Sequence, residues 1–526
     1  MATSEYWAEV THDRQRTHVF YPTLDAMIAP DDPVRFVDEV LSGMDWSKWE
    51  AAYERKRGQP PIHPRYIASA ILYGLYRGIR SSRKLEEACR YRFDFMWLVE
   101  GRVIDHTTFS KFRTRFHDEL KDLFRQIARM AMGLGLISLG VVAFDGTRVK
   151  ANNSRFRTRT AKTLEAKLEA LDELFEYLVA QMQTVDGEQA TEGSPTKLPE
   201  ELADVNHRRE QIRKALEQAK AADEARRQQG IDPKKNPAQV PITDSDSHVM
   251  PNKEGGYAPN YTPVATTDGK AGFIIDADVL PSVNEGAAIP ASVDRIEEVF
   301  GQKPEKFLTD AGNNAAPIIV EMEQRGVEFY APIESQQPAE GSPVKRDDPQ
   351  QPIPESEWDN LERNNAGKLA KTCFVYVPEE DQYYCPMGNV LCFFRTDREQ
   401  RCGKPVAIRV YQCRNCEGCP LADACLSPQT KHGRTVRRDE YEEVRERTAA
   451  RMSSASAKAI YKQRQWIAET TFGILKSIMG LRQFLLRGLE KVKTEWLWAV
   501  TAFNLIKMSR HIGTLRAETA KCAAQV

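Results

Sequence analysis

A stretch near the C-terminal end of the chain places one carboxylate, Glu469, among basic and aromatic residues at helical spacing. Its buried-type residues recur three and four positions apart, at Ile467, Thr471, Ile474, Leu475 and Ile478. This spacing predicts a helix over residues 457–478 with one packed face. At about 100° per residue, Glu469 and Lys476 lie within about 20° of each other. Tyr461 lies less than about 90° away and Arg464 lies on the flank. A solvated surface helix has the same pattern, so other segments must decide between the two.

Two aspartates each follow a short apolar run and precede a turn with glycine. Asp145 ends the run in LGVVAFDGT, and Asp310 follows the run in KFLTDAG. Either one alone is a common turn former. A carboxylate at the end of a buried strand is costly unless it binds a cation. Together with Glu469, the two aspartates could hold two divalent ions about 3.5 to 4 Å apart, an arrangement that cleaves phosphodiesters by in-line attack.

Two further aspartates compete for the metal role. Asp276 and Asp278 point to one face of the predicted strand in GFIIDADVL. We rank them below Asp310 because they lie in the middle of the strand, where a salt-bridged edge is the alternative interpretation. The order strand, hairpin, helix, strand, helix, strand from residue 141 to residue 331 predicts a mixed sheet flanked by helices.

The order FDGT, TDAG and Y-x2-R-x4-E-x6-K resembles the DDE transposases of bacterial insertion sequences, in the ribonuclease-H-like group with a Tyr-Arg-Glu-Lys signature. The resemblance covers nearly the whole chain. It implies a catalytic, metal-binding triad of Asp145, Asp310 and Glu469, with two Mg²⁺ ions. It also implies contacts to the DNA end from Tyr461, Arg464 and Lys476. The commonest signature has three residues between Arg and Glu, whereas this chain has four, Gln465 to Ala468.

The activity that this resemblance implies is cleavage of double-stranded DNA at the terminal inverted repeats of an element, followed by strand transfer into target DNA. Both ends must be held together, so we expect a homodimer in the DNA complex. Two alternatives stay open. One is a transposase-derived DNA-binding protein without catalysis, and the other is a ribonuclease-H-like nuclease without strand transfer.

A basic segment near the N-terminus is the candidate for recognising the DNA end. Residues 55–115 contain 14 Lys or Arg and 5 acidic residues, enough for several phosphate contacts. Asp32 and His63, each followed by proline, are predicted to begin two helices. Asp105 is predicted to cap a third helix, in a helix-turn-helix-like unit. The candidate DNA-binding residues of this helix are Lys111, Arg113 and Arg115, and Arg487 is a further candidate in the basic C-terminal part. An ordinary solvated helical bundle is the alternative.

A long insertion after the first catalytic strand has the spacing of two helices. Its apolar residues alternate four and three apart at Leu164, Leu168, Leu171, Phe175, Leu178 and Met182, a heptad seam. A break over residues 187–195 separates them from a return helix with Leu198, Leu202, Val205, Ile212 and Leu216. We predict an antiparallel helical hairpin. The same coiled-coil seam could instead be a dimer contact.

Eight of the ten cysteines lie between Cys373 and Cys425. Clustered thiols in a protein expected to be cytosolic favour zinc over disulfides. The preferred ligands of a structural Zn²⁺ site are Cys385, Cys416, Cys419 and Cys425, with Cys413 as the substitute. Such a site would hold together a small loop-rich module. A reduced cluster without metal is the alternative.

The chain of 526 residues is long enough for about three or four domains. We expect the class α/β, with a ribonuclease-H-like mixed-sheet core, an N-terminal helical domain and a small cysteine-rich zinc module. The predicted units are a helical DNA-binding domain (1–130), a catalytic core (137–155, 236–335 and 431–515), a helical hairpin (156–235), a linker with the cysteine-rich insertion (336–430) and a tail (516–526). A net charge of −1 requires any DNA-binding surface to be local. Neither a signal-peptide-like start nor a run of about 18 apolar residues occurs, so we expect a cytoplasmic protein without membrane contact.

Overall fold

The computed structural model describes residues 23–523, except for 54–59, 155–156, 189–197, 229, 253–254, 334–337, 339–340, 402–403, 428–429 and 431. Its first part is helical. The helices are α1 (Pro33–Ser42), α2 (Ser47–Ala51), α3 (Pro64–Tyr76), α4 (Ser82–Tyr91), α5 (Phe93–Leu98), α6 (His106–Arg115) and α7 (His117–Gly133). Asp32, His63 and Asp105 accept hydrogen bonds from backbone N–H groups at the starts of α1, α3 and α6. These three predicted helix starts are confirmed, and each follows from capping of N–H groups that the helix itself leaves unpaired.

The mixed α/β core follows. Its main sheet contains β1 (Val141–Gly146), β2 (Val149–Lys150), β5 (His248–Pro251), β6 (Tyr257–Asp268), β7 (Ile274–Leu280), β8 (Lys306–Leu308) and β9 (Glu328–Tyr330). Two short strands, β3 (Thr158–Arg159) and β4 (Val240–Pro241), pair separately. Helices α10 (Ile289–Phe300) and α11 (Ala316–Gln324) connect β7 to β8 and β8 to β9. The predicted element order and the mixed sheet are confirmed.

The pairing of the strands explains how the two candidate aspartates come together. The order across the sheet is β7, β6, β1, β8, β9, with β6 antiparallel to its neighbours and β1, β8 and β9 parallel. Ala143 of β1 lies opposite Leu308 of β8. Asp145 and Asp310 each follow two residues later. Because side chains alternate along a strand, both aspartates leave the sheet on the face of Ala143 and Leu308.

The long insertion forms two helices, α8 (Ala161–Glu188) and α9 (Leu198–Gln228), which pack against each other. Their shared apolar cluster includes Leu164, Leu168 and Leu171 from α8. Ile212, Ala215, Leu216 and Ala219 of α9 and Val240 of β4 belong to the same cluster. The predicted break at 187–195 lies largely outside the described residues, since α8 continues to Glu188. The first part of the seam, Leu164 to Leu171, therefore packs between the two helices of the insertion.

The cysteine-rich part contains more regular structure than its sequence suggests. We expected a small loop-rich module, and this expectation is corrected. Strands β10 (Val375–Val377), β11 (Gln382–Tyr384), β12 (Val390–Arg401), β13 (Lys404–Cys413) and β14 (Thr435–Asp439) form a five-stranded antiparallel sheet, with α12 (Ala422–Cys425) between β13 and β14. Its last strand lies beyond residue 430, so the sheet extends past the predicted end of this module.

The C-terminal part is helical. It contains α13 (Glu442–Ser453), α14 (Ala455–Lys462), a π-helix (Gln465–Glu469), α15 (Thr470–Ser477) and α16 (Leu489–Ala523). Trp498 of α16 reaches the N-terminal helices, with its ring centroid 6.3 Å from that of Trp49. Trp49 in turn stacks on Phe112, at 5.4 Å and 14° between planes. The two ends of the chain therefore share one aromatic core. Among the described residues, no helix is both long and apolar enough to cross a membrane.

Candidate active site

The candidate site lies where β1 and β8 end. The Asp145 side chain is mostly buried, and its Oδ1 accepts a hydrogen bond of 2.9 Å from the backbone N–H of Gly146. Asp310 Oδ1 accepts 2.8 Å from Asn313 Nδ2, which also donates to Thr309 Oγ1. The turn after β8 thus fixes the orientation of the second carboxylate.

The helical segment that carries the signature residues packs on the same face of the sheet. Ala143, Leu308 and Tyr330 of the sheet form an apolar cluster with residues from this segment. Those residues include Ala457, Ile467 and Ala468, which are buried. Glu469 comes immediately after Ala468. The two aspartates therefore leave one face of the sheet, and the segment that carries Glu469, 324 residues after Asp145, packs on that same face.

Arg464 and Tyr461 lie beside the aspartates. Arg464 Nη2 is 3.2 Å from Asp145 Oδ1, and the two side chains are 16% and 14% exposed. Burial raises the pKa of the Tyr461 phenol, the Arg464 charge opposes this, and the charges of Asp310 and Asp145 add to it. In this conformation the guanidinium supplies the positive charge that Asp145 needs when it is removed from water.

Glu469 is less enclosed. Its side chain is exposed, at the last residue of the π-helix. Within the described part of the chain, no three or more His, Cys, Asp or Glu side chains are arranged to hold a metal ion. The structure therefore brings Asp145 and Asp310 to one edge with Arg464 and Tyr461, but it does not bring Glu469 to ligand distance.

The π-helix changes the predicted geometry of this segment. We expected an uninterrupted helix over 457–478, and this is corrected, because residues 465–469 have i to i+5 hydrogen bonding. A π-turn holds about one residue more than an α-turn. Four residues separate Arg464 from Glu469 where the commonest signature has three, and the π-helix occupies this interval. The π-helix therefore accommodates the additional residue within this interval.

Lys476 contacts the turn that follows Asp145. Its Nζ donates to Thr147 Oγ1 and, at 3.2 Å, to the backbone carbonyl of Arg148. Both acceptors belong to the FDGT segment and its next residue. The signature lysine is thereby held next to the first aspartate.

A further carboxylate, Glu285, lies at this edge, and no sequence motif surrounds it. Arg148 Nη1 donates 2.8 Å to Glu285 Oε1 and 2.9 Å to Thr262 Oγ1. Burial raises the pKa of Glu285, Arg148 opposes the rise, and Asp145 and Asp310 add to it. The negative charges of both aspartates thus act on the Glu285 carboxyl group and favour its protonated form.

The two competing aspartates lie on the other face of the sheet. Asp145 is opposite Ala265, which is opposite Ala277, whereas Asp276 is opposite Thr266. Directly paired residues share a face and neighbours along a strand do not, so Asp276 and Asp278 point away from Asp145. Asp276 pairs with Arg295 through two bonds of 2.8 and 2.7 Å. Asp276 therefore forms a salt bridge, as the alternative interpretation of this strand predicted.

The predicted DNA-binding residues of the N-terminal helix have different surroundings. Lys111 and Arg115 are exposed, and Arg115 Nη2 donates 2.8 Å to the carbonyl of Ala52. Arg113 instead donates to the carbonyl of Arg80, and burial lowers its pKa to about 10. Arg113 thus lies in the contact between α6 and α16 rather than on a DNA-accessible surface. Arg487 is exposed, and its Nε donates 2.9 Å to the carbonyl of Asn152.

The cysteines of the second sheet converge. All five candidates line one cavity of about 20 Å³, namely Cys385, Cys413, Cys416, Cys419 and Cys425. Burial raises the pKa of Cys413 to about 12 and that of Cys425 to about 11. All five are free thiols. A cavity of this size accommodates about one water-sized sphere, and thiols are suitable zinc donors, but the five sulfurs are not arranged at ligand positions.

Two known protein families match this chain, one in its N-terminal part and one in its C-terminal part. Residues 22–115 match the family described as Transposase domain (DUF772), and residues 384–509 match the family described as Transposase DDE domain. The second match includes Glu469 and Lys476, whereas Asp145 and Asp310 lie outside both. No curated protein matches the chain significantly. The chain therefore carries an N-terminal transposase domain and a DDE transposase domain.

Proposed function

We propose that the chain is a metal-dependent DDE transposase that cuts double-stranded DNA at the terminal inverted repeats of an insertion sequence and joins the freed 3′ hydroxyls to target DNA. The observation that carries this proposal is the shared face of the sheet. Asp145 and Asp310 leave that face from adjacent parallel strands, and the segment ending in Glu469 packs on it. The strand order supports a ribonuclease-H-like core.

Asp145, Asp310 and Glu469 are the residues that would hold two Mg²⁺ ions. Carboxylate oxygens are the donors that Mg²⁺ prefers, and three carboxylates from two strands and a helix fit that requirement. When bound, such ions activate the attacking oxygen and stabilise the leaving oxygen of a phosphodiester. Because Glu469 is exposed, we infer that DNA and metal binding complete the site.

The other signature residues would position the DNA. Lys476, anchored beside Asp145, carries a positive charge towards a phosphate at this edge. Arg464 and Tyr461 would contact the same DNA end once the arginine leaves Asp145. Positioning and charge stabilisation supply most of the rate in phosphoryl transfer. Lys111, Arg115 and Arg487 are exposed cations suited to phosphate contacts. We withdraw Arg113 from this set because it is buried against α16.

The remaining proposals concern assembly. A homodimer would hold both ends of the element in the DNA complex. Four of the five cavity cysteines would bind a structural Zn²⁺. The preferred set stays Cys385, Cys416, Cys419 and Cys425, and Cys413 lines the same cavity.

The function is tested with a labelled duplex that carries the flanking inverted repeat of the element, in Mg²⁺ or Mn²⁺. We expect the unmodified chain to cut at the element boundary. Glu469→Gln and Asp145→Asn should bind the duplex and leave it uncut. Glu490→Gln is the matched control, because Glu490 is a 79% exposed carboxylate of the same domain, and its cutting should be unchanged.

The other outcomes identify the alternatives. Specific binding without cutting by the unmodified chain would contradict catalysis and favour a DNA-binding regulator. Cutting that yields no joined products with added target DNA would favour a nuclease. Equal loss of cutting in Glu490→Gln would show that the assay reports general damage to the domain.

A further inference from the structure

A buried ion pair supports the strand end that carries the first catalytic aspartate. Glu285 lies in the connection between β7 and α10, and Arg148 lies just after β1. Their side chains are only 12% and 15% exposed, with 2.8 Å between Oε1 and Nη1. Arg148 also donates to Thr262 Oγ1 and, at 3.3 Å, to the carbonyl of Val283. The guanidinium is thus fixed by three different partners.

Glu285 also contacts the backbone beside Asp145. A Cβ atom added to Gly146 would lie 2.4 Å from both the carboxyl carbon and Oε2 of Glu285. Real Cβ atoms do not approach other atoms this closely, so the carboxyl group packs directly on the glycine, and a larger residue there would displace it. The N–H of the same Gly146 donates to Asp145 Oδ1. The peptide group that orients Asp145 is therefore backed by Glu285.

Arg148 of this ion pair also contacts Lys476 through its backbone carbonyl. Lys476 Nζ donates to the carbonyl of Arg148 and to Thr147 Oγ1. Residues 146–148 are consequently held between Glu285 on one side and Lys476 on the other. A movement of the Arg148 backbone would displace one of the two acceptors that fix Lys476.

We propose that Glu285 is a positioning residue for the transposase reaction. Through Gly146 it fixes the orientation of the Asp145 carboxylate, and through Arg148 it fixes Lys476. Its own carboxylate is committed to Arg148, so it supports a metal-binding residue without binding the metal. This inference rests on the proposed function, in which Asp145 holds Mg²⁺ and Lys476 meets the phosphate.

The test compares Glu285→Gln with a matched control at a second ion pair. Asp276 forms a similar ion pair with Arg295, with 10% and 25% exposure and 2.7 Å between Oδ2 and Nη2. Asp276→Asn therefore removes an equivalent charge from a similar pair whose carboxylate points away from Asp145. We expect comparable losses of stability in the two variants.

Only Glu285→Gln should alter the metal requirement. Partners that orient metal ligands change metal affinity or activity by about 10- to 100-fold when removed. We expect the Mn²⁺ concentration for half-maximal cleavage to rise by about that factor, with a lower single-turnover rate at saturating Mn²⁺. Calorimetric titration of the full chain with Mn²⁺ alone should show the same loss of affinity, and Glu285→Asp should recover part of it.

Three results distinguish the possibilities. An equal change in Mn²⁺ affinity for Asp276→Asn, or none for Glu285→Gln, would overturn the positioning role. If Glu285→Gln does not fold, Arg148→Lys keeps the charges while shortening the donor, and its Mn²⁺ affinity must fall relative to Asp276→Asn. Selective loss of Mn²⁺ binding in a chain that cuts no DNA would refute the proposed function but keep the link between Glu285 and the metal site.

Discussion

Replacing Glu495 by alanine should destabilise the contact between the N-terminal helices and the C-terminal part of the chain. Glu495 Oε1 lies 2.8 Å from Arg80 Nη2, and the two side chains are 12% and 15% exposed. The carboxylate also accepts hydrogen bonds of about 3 Å from the backbone N–H groups of Leu485 and Leu486. The negative charge of Glu495 also opposes the lowering of the Arg113 pKa by burial. Glu495 is thus the negative centre of a contact with two arginines.

The magnitude follows from what the substitution leaves behind. Removing one partner of a buried ion pair costs about 3 to 5 kcal/mol, because the other charge stays buried without compensation. Arg80 keeps two carbonyl acceptors, Gly480 and Gln483, each at 2.6 Å. These acceptors hold the guanidinium in place, so it cannot easily turn to water. We therefore expect the free energy of unfolding to fall by about 3 kcal/mol or more, and by less for Glu495→Gln, which retains an acceptor.

The assay is urea unfolding followed by tryptophan fluorescence, since Trp498 and Trp49 lie in this core. Asp204→Ala is the control. It removes a partner of Arg208 from a pair that is 61% and 63% exposed, and such helix pairs contribute only about 0.3 to 0.5 kcal/mol. A loss below about 1 kcal/mol for Glu495→Ala, or equal losses for the two variants, would refute the reasoning.

Further predictions concern the π-helix, the cysteines and the aromatic core. Deleting Gln465 should convert the π-helix to α-helix and leave the urea midpoint nearly unchanged. Deleting Gly473 from regular α15 should lower that midpoint strongly, because every later residue changes face; equal effects would contradict local absorption. Cys416→Ser should reduce bound zinc from about one ion per chain to nearly none by elemental analysis, whereas exposed Cys392→Ser should not. Trp49→Ala should lower the free energy of unfolding by about 3 to 5 kcal/mol in urea, and a loss near zero would contradict its core position.

Local rules in the sequence predicted much of the fold. The caps at Asp32, His63 and Asp105 depend only on neighbouring residues, so the helix starts could be located. The hairpin of β6 and β7 and the short strand before Asp310 follow from alternation and turn residues. Short-range chemistry is sufficient for such elements.

Other features depended on distant contacts. The charged segment of β12, from Arg395 to Arg401, does not show the apolar alternation of a half-buried strand, so the second sheet was not predicted. The sequence around Arg113 predicts an exposed cation. In the structure α16, which lies almost 400 residues further along the chain, packs against this residue. Glu285 belongs to a loop without a motif, and its role depends on contacts with Gly146 and Arg148. The π-helix differs from an α-helix by one residue in a single turn, which apolar periodicity does not resolve.

The aromatic core shared by the N-terminal and C-terminal helices also determines when the protein can complete its folding during synthesis. Trp49 and Phe112 emerge early from the ribosome, but their partner Trp498 is separated from Phe112 by 386 residues. At about 5 to 20 residues per second, that interval lasts roughly 20 to 80 s. During this time the N-terminal helices expose the apolar face on which α16 packs. Nascent chains would accordingly be chaperone substrates until translation is almost complete, and a prematurely terminated chain would remain one.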